Sequence, residues 1–185
     1  DAAPVYWTDW TAGTTGTVGS GTGQITIGGS TVDVSYAGEV AFIQTTGGTN
    51  YFVPSAPYTS ALVDNPPPNA DIIALSKATT KTLTFSVPIS DLFFAVVSLN
   101  GNSYKFNRDF EVVSFGTGYW GGGTMTRVNN GDGTYSVSGT GEPHGVIRFV
   151  GTLSSITWTS TGAEYWNGFT VGTYGFGDSD SDGIF

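Results

Sequence analysis

The chain has 185 residues with a net charge of −9, an aromatic content of 14% and no cysteine. The lack of cysteine excludes disulfides, thiolate metal sites and cysteine nucleophiles. The six lysines and arginines are scattered along the chain, and this argues against nucleic acids or anionic membrane surfaces as partners, because both need a basic patch. The longest apolar run, residues 92–99, is too short to span a bilayer, so no direct membrane insertion is expected.

The beginning of the chain predicts a strand followed by a linker. Residues 4–10 are rich in aromatic and β-branched side chains, as strands are. Glycine recurs among threonines and serines in the next segment, a composition typical of flexible linkers. We therefore divide the chain into an N-terminal strand (1–12), a Gly/Thr-rich tether (13–23), a β-sandwich domain (24–176) and an acidic C-terminal tail (177–185).

Two hairpins are predicted at the start of the sandwich domain. A Gly-Gly-Ser turn separates residues 24–27 from residues 31–36. A second glycine-containing turn separates residues 40–44 from residues 50–53. Both patterns are typical of adjacent antiparallel strands.

The rest of the chain alternates between turns and short apolar runs. Segment 54–70 is rich in proline, which cannot donate to a β-ladder, and this predicts a surface loop. Residues 91–99 are apolar on both strand faces, which predicts a central strand. Further strands are expected at 82–87, 110–115, 124–128, 134–138, 146–150, 154–159 and 169–174. Many short strands without lasting helical periodicity indicate an all-β fold, an antiparallel β-sandwich of jelly-roll type.

Several motifs together carry a family resemblance. They are Trp7-Thr-Asp-Trp10, Val63-Asp-Asn-Pro-Pro-Pro68, Asp71-Ile-Ile73, Gly141-Glu-Pro-His-Gly145, Ile156-Thr-Trp-Thr159 and Glu164-Tyr-Trp-Asn-Gly-Phe-Thr-Val-Gly172. Over roughly residues 6–173 the chain resembles bacterial exported β-sandwich proteins of the PEP-CTERM-associated type. The resemblance implies a secreted protein at the cell surface or in an extracellular polysaccharide matrix, with no established chemistry. The sequence has no Pro-Glu-Pro motif, so we expect the sorting tail itself to be absent, either removed or replaced by another route of release or assembly. The opening Asp-Ala-Ala-Pro is the kind of start left when a signal peptide has been removed.

The acidic tail contains a candidate calcium site. Asp178, Asp180 and Asp182 alternate with serine and precede Gly183, a spacing that matches the first half of an EF-hand loop. In such a loop alternate carboxylates converge on one cation, and glycine permits the sharp turn. The bidentate acid of the complete loop is missing, so further calcium ligands would have to come from elsewhere. The alternative is a solvated acidic tail.

Aromatic residues outside the predicted core suggest a sugar-binding surface. Tyr119 and Trp120 lie in a glycine-rich loop, and Trp166 lies at a strand entry. Exposed rings could stack on the faces of sugar rings, with polar neighbours as hydrogen-bonding partners. The alternative is that such rings fill the core, and Trp158, in an alternating strand, is expected to do so.

The N-terminal strand suggests self-assembly. On a flexible tether, Val5, Tyr6, Trp7 and Trp10 could enter the sheet of a neighbouring copy and produce homo-oligomers or filaments. The alternative is an ordinary edge strand within the same chain.

Catalytic chemistry has weaker support in the sequence. His144 beside Glu142 could serve hydrolysis, and Glu142 with Glu164 or Asp9 with Glu39 could form a glycosidase carboxylate pair. A turn histidine bonded to the backbone and unrelated surface acids explain these residues more simply. We therefore expect no enzyme but a secreted structural protein of the bacterial surface or matrix, self-assembling with calcium, or alternatively a carbohydrate-binding module for extracellular polysaccharide.

Overall fold

The computed structural model describes residues 3–177, and its regular structure consists of thirteen strands and one turn of 3-10 helix at Ala56–Tyr58. The strands in chain order are β1 (Tyr6–Trp7), β2 (Asp9–Thr14), β3 (Gly16–Ile27), β4 (Ser30–Val40), β5 (Phe42–Gln44), β6 (Ile72–Leu75), β7 (Thr80–Val97), β8 (Ser103–Phe106), β9 (Glu111–Gly116), β10 (Gly123–Asn129), β11 (Tyr135–Gly141), β12 (His144–Ser160) and β13 (Asn167–Phe176).

The strands form two packed layers joined by two long, shared strands. The first layer has the order β10–β11–β8–β12–β7–β4–β3–β2, and the second has the order β9–β12–β7–β13–β6–β5. β1 pairs with the later part of β13. Residues 80–85 of β7 belong to the first layer and residues 92–97 to the second. All pairs between these strands are antiparallel, which confirms the predicted all-β antiparallel class and agrees with a β-sandwich.

An irregularity in β7 and β12 turns the chain from one layer into the other. Asp91 and Gly151 have positive φ angles of 62° and 94°, and the β7–β12 register shifts between Phe149 and Thr152. The Asp91 carboxylate accepts a hydrogen bond from the Gly151 N–H at 2.6 Å and lies 3.4 Å from the Arg148 guanidinium. Bulges increase local bending and let strands pass between packed sheets, so this contact fixes the corner of the sandwich.

Aromatic rings fill the space between the layers. The Phe94 ring centroid lies 5.1 Å from that of Trp158 and 5.0 Å from that of Phe169, and Tyr36 lies 5.5 Å from Phe169. Trp158 is 1% exposed, which confirms its predicted place in the core. Edge-to-face and offset ring pairs of this kind add to the stabilisation that burial alone provides.

The second layer is also covered on its outer face. The loop between β5 and β6 packs Phe52 and Tyr58 over Phe93 and Val97. The Tyr58 hydroxyl donates to the Val96 carbonyl at 3.1 Å. This half of β7 is therefore buried on both faces, as its continuous apolar sequence predicted.

The structure differs from the predicted tether at residues 13–23. These residues lie in β2 and β3, and β3 pairs with β2 on one side and β4 on the other. A Cβ atom on Gly21 would lie 2.8 Å from the Ile73 Cδ1 atom. Glycine here permits close packing of a strand against the core and does not mark a linker.

The second predicted hairpin also differs from the structure, whereas the first is confirmed. β3 and β4 pair from Ile27–Ser30 onward, as the first hairpin requires. Phe42–Gln44, however, pairs with β6, and residues 50–53 belong to the covering loop. The turn signal at residues 45–49 thus begins a long loop that brings Tyr51 against Phe42 and Trp166.

Candidate functional site

The loops at one end of the second layer converge on one surface. The register pairs Gly168 with Val97 and His144 with Gly116, so β7 and β9 end where β12 and β13 begin. The loops attached to these strand ends, residues 98–102, 117–122, 142–143 and 161–166, therefore lie side by side. The β5–β6 loop reaches the same place through Tyr51.

Four aromatic residues meet here and are called the aromatic cluster: Tyr51, Tyr119, Trp120 and Trp166. The Tyr51 ring lies 5.0 Å from Tyr119, 4.7 Å from Trp166 and 6.2 Å from Trp120, on which it stacks with an interplanar angle of 24°. The Trp120 and Trp166 rings stand nearly perpendicular, 6.2 Å apart. Trp120 remains 49% exposed and Tyr119 41% exposed, so the cluster presents aromatic surface to solvent.

The structure brings together the three residues predicted to bind sugar. Tyr119, Trp120 and Trp166 come from two loops that lie far apart in the sequence. Tyr51 at their centre was not predicted, because a residue in a presumed hairpin carries no signal of a contact with position 120 or 166.

A surface pocket of about 330 Å³ opens beside this cluster. Trp120, Tyr165 and Trp166 form its aromatic walls. The polar lining residues are Ser98, Asn100, Glu142 and Glu164. A second pocket of about 280 Å³ lies along Ala41, Phe42 and Ser76 and shares Tyr165 and Trp166 with the first. The two pockets therefore flank the same pair of rings.

His144 supports the loop that carries Trp120. Its Nε2 atom accepts the Trp120 backbone N–H at 3.3 Å, so its Nδ1 atom bears the proton and donates to the Glu142 carbonyl at 3.1 Å. Burial lowers the pKa of His144 below the usual 6.5, which favours this neutral form. A Cβ atom on Gly118 would collide with the imidazole, so only glycine lets the loop pack this closely. This agrees with the interpretation of His144 as a backbone-bonded turn residue.

The carboxylates of the pocket are held by neutral donors. The Ser98 hydroxyl donates to Glu142 Oε1 at 2.7 Å, and the Asn100 amide donates to Glu164 Oε1 at 3.4 Å. Ser98 has a positive φ of 61°, an uncommon conformation for a residue other than glycine, which places its hydroxyl at the end of β7.

The second acid pair suggested by the sequence, Asp9 with Glu39, does not form a catalytic arrangement in the structure. Glu39 is buried, and its Oε1 atom accepts the backbone N–H groups of Ser76 and Lys77 at 2.8 and 2.9 Å. Asp9 is exposed on β2. Glu39 thus stabilises a turn, and this carboxylate is already occupied by backbone donors.

The N-terminal strand pairs within its own chain. Tyr6 and Trp7 pair with Thr173 and Gly172 of β13. Asn65 clamps Val5, since its Oδ1 atom accepts the Val5 N–H at 2.8 Å and its amide donates to the Val5 carbonyl at 2.9 Å. The described fold therefore matches the alternative of an intramolecular edge strand, and exchange with a neighbouring copy stays a prediction.

The predicted calcium ligands lie outside the described residues, as do all positions from 178 to 185. Within residues 3–177, no group of three or more acidic or histidine side chains is arranged to hold a metal ion. The turn at residues 129–134 closes the β10–β11 hairpin, and the Asp132 carboxylate accepts the Thr134 N–H at 3.0 Å. The segment is therefore a hairpin turn.

In the part of the chain that the structure describes, no helix is long and apolar enough to cross a membrane.

The comparisons with known proteins leave the family open. The resemblance to PEP-CTERM-associated proteins stays a prediction. No protein-family model, no curated protein and no solved structure matches this chain.

Proposed function

We propose that this protein is a secreted, non-catalytic carbohydrate-binding domain for extracellular polysaccharide. The observation that carries the proposal is the convergence of Tyr119, Trp120 and Trp166 on one exposed cluster beside a polar-lined pocket. Sugar rings have apolar faces, which pack on aromatic rings, and hydroxyl edges, which need hydrogen-bonding partners. The pocket offers both kinds of surface within one site.

The arrangement favours binding over hydrolysis. Both His144 nitrogens are engaged by the backbone, so the imidazole is not free to exchange protons with a ligand. Its role is to position Trp120. One oxygen of Glu142 is held by Ser98.

The neighbouring pocket favours a chain of sugars over a single unit. The two pockets share the Tyr165 and Trp166 rings. A polysaccharide segment that crosses these rings would place successive units in both. Such a ligand fits a protein that works in an extracellular matrix.

Affinity electrophoresis tests the proposal. The native protein should be retarded in gels that contain at least one of a set of neutral polysaccharides, such as a β-glucan, a galactomannan or a xylan. Trp120→Ala should lose this retardation, since truncating a central aromatic anchor costs about 2 kcal/mol, or roughly thirty-fold in affinity. Phe115→Ala is the matched control, because Phe115 is 45% exposed but lies on β9 outside the pocket lining.

The two variants distinguish specific binding at the cluster from nonspecific adsorption to exposed aromatic side chains. Retardation that persists in Trp120→Ala, or that falls equally in Phe115→Ala, would reject the aromatic cluster as the binding site. Thermal unfolding should shift by a similar small amount in the two variants, because both side chains are about half exposed.

A further inference from the structure

The pocket beside Trp120 has an unusual charge balance. Of the lining residues that the structure describes, two are charged, Glu142 and Glu164, and none is a lysine or an arginine. Among the described residues, the ion pairs within 4.0 Å involve Glu39, Asp91, Asp109 and Glu111 as the acids, and neither pocket glutamate has a cationic partner. The pocket therefore concentrates negative charge that the surrounding protein leaves uncompensated.

The hydrogen-bonding capacity of these carboxylates is only partly used. Ser98 and Asn100 each donate to the Oε1 atom of one glutamate. Within residues 3–177, the second oxygen of each carboxylate receives no hydrogen bond from a protein group. An ionised carboxylate accepts several hydrogen bonds, so both glutamates can still accept from a ligand.

The aromatic walls of the pocket favour a positively charged ligand, as its carboxylates do. Trp120 and Trp166 stand at 83° to one another, so that the two rings face the pocket from different directions. The face of an indole ring attracts a cation through its quadrupole, and tryptophan is the strongest such partner among the side chains. Aromatic walls combined with carboxylates are suited to a positively charged group.

Resting on the carbohydrate-binding function above, we propose that this pocket takes a sugar unit that carries a protonated amino group, such as an N-deacetylated hexosamine. The ammonium supplies three hydrogen-bond donors and no acceptor, which complements the free oxygens of Glu142 and Glu164. Its sugar ring packs on Trp120 or Trp166. Uronic acids and sulfated sugars are repelled by the same carboxylates and by the net charge of −9.

The test compares two forms of one polymer. Soluble chitosan oligosaccharides carry free amines, which are protonated in a mildly acidic buffer, and chemical N-acetylation of the same preparation removes this charge while the backbone is unchanged. Isothermal titration at low salt should show that the amine form binds about ten-fold more tightly than the acetylated form, because charge-assisted hydrogen bonds are about twice as strong as neutral ones. The preference should shrink at high salt, since the site is open to solvent.

Charge-removing variants show whether the pocket causes the preference. Glu142→Gln and Glu164→Gln keep the shape and remove one charge each, and either should reduce the preference for the amine form. Asp64→Asn is the matched control, since it removes one charge from an exposed position outside the pocket. Circular dichroism and thermal unfolding verify that each variant is folded. The hydrogen bond from Asn100 to Glu164 is 3.4 Å long, whereas the bond from Ser98 to Glu142 is 2.7 Å, so Glu164→Gln remains informative if Glu142→Gln fails to fold.

The outcomes distinguish this inference from the function on which it rests. Equal binding of the two forms, or an equal loss in Asp64→Asn, overturns the amine-specific site. If neutral polysaccharides still bind and Trp120→Ala abolishes that binding, the carbohydrate-binding function stands without the amine preference. If no glycan of either kind binds, both proposals fail.

Discussion

Trp10 provides the sharpest test of whether the N-terminal segment packs in its own chain or in a neighbouring copy. Its side chain is 0% exposed, and its indole N–H donates to the Thr170 hydroxyl at 3.1 Å. Its ring meets Phe169 edge to face, with centroids 6.4 Å apart, and its backbone N–H donates to the Asp71 carboxylate at 2.9 Å. In the structure this residue is therefore part of the core of its own chain.

The cost of Trp10→Ala follows from these contacts. An aromatic side chain buries about 150–250 Å², which at about 25 cal/mol per Å² corresponds to roughly 4–6 kcal/mol. Some of this area is already buried in the unfolded chain, which lowers the figure. Loss of the indole donor also leaves the buried Thr170 hydroxyl without this partner. We expect a loss of about 4 kcal/mol in the free energy of unfolding, near the range for buried tryptophan truncations.

Chemical denaturation and calorimetry measure this loss. For a domain of this size, about 4 kcal/mol should lower the melting temperature by about 10 °C. Val18→Ala, on the neighbouring β3, should change stability by less than about 0.5 kcal/mol, because Val18 is 94% exposed. A loss below about 1 kcal/mol in Trp10→Ala would refute the intramolecular placement. A native melting temperature that rises with protein concentration would instead support strand exchange between copies.

Two predictions concern titratable groups. Burial raises the pKa of the Asp71 carboxyl from 3.8 to about 6, although the hydrogen bond from the Trp10 N–H acts in the opposite direction. The folded state therefore binds this proton more tightly than the unfolded state does. The free energy of unfolding should consequently fall as pH rises from about 4 to 6. Asp71→Asn should flatten this part of the stability curve measured by urea denaturation, and an unchanged curve would contradict the assignment. Burial lowers the pKa of His144 below 6.5, so its contribution to stability should be lost as pH falls below 6.5. In His144→Gln this loss should disappear and glycan binding should weaken through Trp120, whereas unaltered binding would reject the positioning role.

The sequence predicted the fold class well because strand signals are local. Alternating apolar residues and turn residues identified most strands, including the doubly buried half of β7. One of the two misplaced elements, beside the second predicted hairpin, was the glycine-rich segment at 13–23. Its glycines at 19, 21 and 23 alternate with polar residues in the two-residue period of a strand, and they face the interior. The composition of this segment suggested a linker. Its two-residue alternation and the close packing of Gly21 against Ile73 explain why it forms a strand.

The candidate site could be predicted only in part. Trp120 in a glycine-rich loop and Trp166 at a strand entry were recognisable as candidate binding aromatics, with burial in the core as the alternative. Their meeting with Tyr51 depends on the path of the β5–β6 loop, which no local pattern encodes. Glu142 and Glu164 likewise line one pocket only because separate loops converge there.

A nuclear magnetic resonance titration tests the central claim most directly. The five tryptophans give five indole N–H signals, of which Trp10 and Trp158 are internal references, since they are 0% and 1% exposed. Addition of soluble oligosaccharides from β-glucan, galactomannan and chitosan should shift the Trp120 and Trp166 signals with at least one of them and leave the two references in place. No shift with any of these sugars, or equal shifts of all five signals, would contradict the assignment of the aromatic cluster as a carbohydrate-binding site.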